Sequence, residues 1–131
     1  MPLASEVEKY LSIDDTLLDK QWSELLIWLE AHFGKQAGIE STLFLIGIQA
    51  RGRGFEPKLS KKRKQSLIME GTHCAFETLG LYRRVGKDSN LQNVWERTEV
   101  PLPKLPLPEQ EKLLRVAIIS YFDAIISNSS T

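Results

Sequence analysis

Glu70, His73 and Glu77 are spaced i, i+3 and i+7, which places all three on one side of a helix. Carboxylates and an imidazole on one face are donor types that hold zinc or iron. Glu-x-x-His is also half of the two-metal signature of carboxylate helix bundles. The other half would be a second Glu-x-x-His, and the only other histidine, His32, follows Glu30 by two residues. That spacing points the pair to different sides of a helix. The metal reading is therefore one ion held by Glu70, His73 and His32. The plain structural reading is a polar surface stripe, flanked by Arg63 and Arg84.

Cys74 adjoins His73. Adjacent helical residues point about 100° apart, so the two do not form a nucleophile and its base. His32 would have to arrive from another helix. A lone cysteine is by default a buried structural thiol. It also rules out an intrachain disulfide and a cysteine-rich zinc site, and it fits a reducing compartment.

The second chemical feature is the run Lys61-Lys62-Arg63-Lys64 behind Ser60, where a long helical pattern begins. A helix start exposes unpaired N–H groups and the positive end of the macrodipole, so it favours acids. Cations there need compensation. Ser60, Lys61, Lys62, Arg63 and Lys64 could hold a phosphate or carboxylate, and Arg51, Arg53 and Lys58 would extend the patch along a nucleic-acid backbone. Alternatively the cations pair with acids of the first long helix. Residues 1–40 carry Glu6, Glu8, Asp14, Asp15, Asp19, Glu24, Glu30 and Glu40 against three lysines, and total charge is zero. The intramolecular pairing is the expectation, because charge runs are usually faces that the fold solvates or pairs. A zero net charge also argues against a protein-wide field for nucleic acid. No aromatic residue except Phe55 is interleaved with these cations, so no stacking platform is indicated. Arg51-Gly52-Arg53-Gly54 lacks the pattern of a phosphate-binding loop.

The elements that must position these groups follow from periodicity. At 131 residues the chain is expected to form one domain with its own core. Residues 5–11 read as a short helix or an extended lead-in. Ser12 is expected to open a helix in which Leu18, Trp22, Leu25, Leu29 and His32 form one face, and Gly34 to stop it. Residues 39–50 are so apolar that strand and helix compete; helix is favoured, with Glu40 in its first turn and Gly52 as its cap. Gly47 would let a neighbouring helix come close. A third helix spans 60–79 and ends near Gly80. Two β-leaning runs around Gly86-Lys87-Asp88-Ser89-Asn90 predict a small hairpin within 81–98. Trp95 in its second arm is either an exposed binding aromatic or packing under the loop.

Pro101-Leu102-Pro103-Lys104-Leu105-Pro106-Leu107-Pro108 enforces an extended internal connector over 101–108. Such a stretch can be read by proline-binding domains, but more often packs on its own domain. A last helix follows from Pro108 to about 126, with a frayed tail at 127–131. The longest apolar run, Leu43–Ile48, is too short to cross a bilayer. The start, Met1-Pro2-Leu3-Ala4-Ser5-Glu6, has no signal pattern, so a cytoplasmic location is expected.

Leu43-Phe44-Leu45-Ile46-Gly47-Ile48-Gln49, Leu59-Ser60-Lys61, Lys64-Gln65, the Pro-Leu-Pro stretch, Glu109-Gln110-Glu111-Lys112-Leu113-Leu114 and Tyr121-Phe122 together resemble a group of small uncharacterised bacterial proteins. The resemblance spans about residues 39 to 123. It implies no activity, cofactor or catalytic residue. In that group acids often occupy the turn that here reads Lys61–Lys64.

The expected fold is mainly α: a compact bundle of four helices, three long and one short and very apolar, with a small hairpin near 81–98. The expected function is a non-enzymatic helical interaction or structural protein that needs no cofactor. Its partner would be another protein or a second copy of the chain, through an uncovered apolar face on the last helix. The alternatives are anion or nucleic-acid binding through residues 51–64, and an enzyme built on a metal or on Cys74.

Overall fold

The computed structural model describes residues 4–34, 38–51, 59–89 and 92–129. Their elements are α1 (Ala4–Leu11), α2 (Asp15–Phe33), α3 (Ile39–Arg51), α4 (Lys61–Thr78), β1 (Tyr82–Lys87), β2 (Asn93–Arg97) and α5 (Leu107–Ser129). The expected set of four helices becomes five, because the lead-in is helical. Val7 of α1 is fully buried, and the Tyr10 hydroxyl donates to the Leu79 carbonyl at 3.2 Å. Ser12 does not open α2. Its hydroxyl donates back to the Lys9 carbonyl at 2.8 Å, whereas Asp14 accepts from the Leu17 N–H at 3.0 Å and caps the helix. Asp and Ser cap about equally well, but the Ser12 hydroxyl is taken by the end of α1, and the Asp14 carboxylate also meets the positive end of the dipole.

Gly34 stops α2 in the left-handed region, φ 74°, with its N–H on the Glu30 carbonyl at 2.8 Å. Gly80, φ 77°, ends α4 in a Schellman turn: the Gly80 N–H bonds Glu77 O and the Leu81 N–H bonds Phe76 O. This turn aims the chain straight into β1.

Residues 39–51 are helical, which resolves the choice between helix and strand. The proposed cap Gly52 lies outside the described residues, as do Arg53 and Lys58. α3 and α4 run antiparallel and make the closest helix contact of the molecule. A Cβ on Gly47 would collide with the Leu67 carbonyl, and one on Gly71 with the Leu43 carbonyl. Two glycines, one from each helix, therefore set the separation.

α5 touches each of the other four helices. Leu113, Val116, Ala117, Ile118, Ile119 and Phe122 are buried within the chain, whereas Leu107 is exposed and Leu114, Ile125 and Ile126 are half-buried. The helix continues through Ser129, past the point where a frayed tail was expected to begin. The connector packs on its own domain, with Leu102 and Leu105 against the core. Among the described residues no helix is long and apolar enough to cross a membrane.

β1 and β2 form an antiparallel hairpin with Arg84 opposite Trp95, Lys87 opposite Asn93, and a bulge between Arg84 and Gly86. Thr98 ties its base to the end of α4, its hydroxyl donating to the Gly80 carbonyl at 2.6 Å. The hairpin lies on α4, not free in solvent.

Candidate functional site

The face of α4 that carries Glu70, His73 and Glu77 is the face that receives the hairpin. Alternation along β2 points Asn93 and Trp95 to the same side. Trp95 Nε1 donates to Glu70 Oε1 at 3.0 Å, and Asn93 Nδ2 donates to Glu70 Oε2 at 2.6 Å. Glu70 is 7% exposed, so it is not part of a surface stripe. A buried carboxylate is tolerated when donors replace the lost water, and here each oxygen has one. Asn93 Oδ1 is buried without a hydrogen-bond partner among the described residues. The amide cannot flip to relieve it, because that would turn an oxygen onto the carboxylate.

His73 sits one turn on, its ring 4.8 Å from Tyr82 and 5.6 Å from Trp95. Burial lowers its pKa, and the Glu70 charge opposes that shift. The Arg84 guanidinium lies 5.1 Å over the Trp95 ring and 3.9 Å from Glu77. On the outer face of the hairpin Arg83 pairs with Glu96 at 2.6 Å and Glu99 at 2.8 Å. These exposed pairs raise the Arg83 pKa and lower that of Glu99.

Cys74 is 3% exposed. Burial, then the Glu70 charge, pushes its thiol up to about 12, against the pull of Arg84. The thiolate is the reactive form, so this sulfur is a packed side chain at neutral pH. His32 does not join it. The His32 ring stacks on Trp28 at 4.0 Å and its Nδ1 lies 2.8 Å from the Trp28 carbonyl, while Trp28 in turn meets Phe122. Among the described residues no three of His, Cys, Asp and Glu stand together as a metal-ligand set. Glu70 and His73 are neighbours, but their partners are hairpin side chains and not His32.

Ser60 caps α4 as expected, accepting from the Arg63 N–H at 3.1 Å. The counter-ions are not where the charge pattern placed them. Asp15 of α2 binds Lys112 at 2.8 Å and Asp19 binds Arg115 at 3.4 Å, both on α5. The reason is packing: α2 rests on α5, and α4 is reached by α3, α5 and the hairpin. Lys61, Lys62 and Lys64 are exposed and make no ion pair among the described residues. Lys64 Nζ lies 5.8 Å from the centre of the Phe44 ring.

Two concave features flank α5. A charged cleft of about 520 Å³ is lined by Asp15, Asp19, Glu109, Glu111, Lys112 and Arg115. A smaller, apolar groove lies between α4, the connector and α5. Arg84 stood out in the sequence only as a flank of the polar stripe and Asn93 not at all, because their roles depend on hairpin register. Set against known protein families, curated proteins and solved structures, the chain finds no match.

Proposed function

We propose that this chain is a non-enzymatic helical interaction or structural protein. One observation carries the reading: the acid and imidazole with the most chemical promise are engaged by the hairpin on α4, and the thiol is buried in the core. Both Glu70 oxygens accept from hairpin side chains. His73 is flanked by Tyr82 and Trp95, and Cys74 is held as a buried thiol. A group that is already fully bonded gives a fold rigidity and offers little to a substrate. The test is crosslinking of the tagged full chain in its own cells, followed by reconstitution with the purified partner. A reproducible stoichiometric complex supports the reading. A chain that is monomeric and uncrosslinked throughout would remove the interaction half of it.

A second reading is anion or nucleic-acid binding through the basic start of α4. It is favoured by the exposed ammonium groups of Lys61, Lys62 and Lys64, which have no acid beside them among the described residues. A salt-dependent shift of DNA, RNA or polyphosphate, lost on Lys61→Glu with Lys62→Glu, supports it. Binding that survives the double reversal would sink it.

A further inference from the structure

α5 sorts its early charges to one side. Glu109 and Glu111 line the cleft toward α2. The groove on the other side has a volume of about 330 Å³ and is lined mainly by Phe76, Leu102, Leu105, Leu113 and Leu114, with Lys104 the one charged residue in its walls among the described residues. Leu113 is buried and the other four apolar side chains are half-buried. Two polar side chains of the walls are engaged within the fold: the Thr72 hydroxyl donates to Ile68 O at 2.9 Å and Gln110 Nε2 to Leu105 O at 2.7 Å. Lys104 is exposed and makes no ion pair among the described residues. One wall is the connector, whose Pro101, Pro103 and Pro106 fix the backbone before any ligand arrives.

We propose that this groove binds a small aliphatic monocarboxylate. Its chain lies against Phe76, Leu102, Leu105, Leu113 and Leu114, and its carboxylate meets the Lys104 ammonium. The volume is near the lower limit of small-molecule sites, roughly 300 Å³, which favours a short chain over a long acyl tail. A neutral chain would bury the same apolar surface but leave Lys104 without an anion. A dianion would press a second charge on walls that have no second cation to receive it. This inference does not rest on the interaction reading, because it requires no protein partner.

Octanoate and octanol, titrated separately into the full-length protein and followed by amide chemical shifts, test it. Saturable shifts centred on Thr72, Phe76, Leu102, Lys104, Leu105, Gln110, Leu113 and Leu114 are expected, with octanoate the tighter ligand. Lys104→Gln, an exposed substitution that leaves the core intact, should weaken octanoate roughly two- to five-fold, the range of a solvent-exposed ion pair, and leave octanol unchanged. No saturation, shifts centred elsewhere, or octanoate affinity unmoved by Lys104→Gln would overturn the assignment.

Discussion

Glu70 is an acid that the fold has surrounded with donors in place of water. Its bonds to Trp95 and Asn93 link positions 25 and 23 residues apart in the chain, so they close a long loop as well as a buried charge. Glu70→Gln would keep the volume but turn an amide N–H onto at least one donor. We expect it to cost about 2–3 kcal/mol, the range for hydrogen bonds to a charged group, as read by urea denaturation. Trp95→Phe should cost less, and the double variant less than the sum of the two, since both break the same bond. Additive losses would show that the bond contributes nothing. His73 gives a second expectation. The folded state favours its neutral form, so the unfolded chain takes up a proton first as pH falls. Its contribution is complete above the ordinary histidine value of 6.5 and drains as pH drops through the lower folded value. His73→Gln should flatten that part of the stability–pH curve. Cys74 should resist alkylation in the native state and react only on unfolding, because burial keeps the thiol protonated to about 12.

At the scale of elements, the contact of α3 with α4 depends on what Gly47 and Gly71 lack. Either glycine replaced by alanine would drive a methyl group into a backbone carbonyl of the facing helix. We expect a loss of about 1–3 kcal/mol or more from overpacking, outweighing the roughly 1 kcal/mol that alanine gains over glycine in a helix. A thermal melt of each variant decides the sign. These elements were largely legible in the sequence. Gly34 and Gly80 marked helix ends because each needs positive φ, and the prolines of the connector allowed only an extended path. Gly47 carried its close approach in plain view. Other features were not legible. Ser12 and Asp14 are both good caps, and only the turn after α1 decides between them. Glu70 has the spacing of a surface acid, and its burial depends on where β2 lies, which no local pattern encodes.

At the scale of the molecule, the charge distribution misled for a physical reason. An acidic stretch over residues 1–40 and a basic one over 51–64 look complementary when written in one line. In three dimensions α5 lies along α2, and Lys112 and Arg115 take Asp15 and Asp19. Lys112 also donates to the Ile13 carbonyl at 2.7 Å, so it fastens the turn between α1 and α2 to α5. Lys112→Ala should therefore destabilise the fold by about 1–2 kcal/mol, because it removes a charged donor from a part-buried carbonyl. Lys61→Glu and Lys62→Glu should leave stability unchanged or raise it by a few tenths of a kcal/mol, since an acid suits a helix start. If instead they lower the melting temperature clearly, Lys61 and Lys62 are paired within the chain.

The most direct test concerns the bond that joins α4 to the hairpin. Exchange of the Trp95 indole proton with solvent, followed by NMR in the native protein and in Glu70→Gln, reports on it alone. Strong protection in the native chain, together with a large shift and faster exchange in the variant, is the expected result. An indole proton that exchanges in the native protein as fast as that of a free tryptophan would contradict the account.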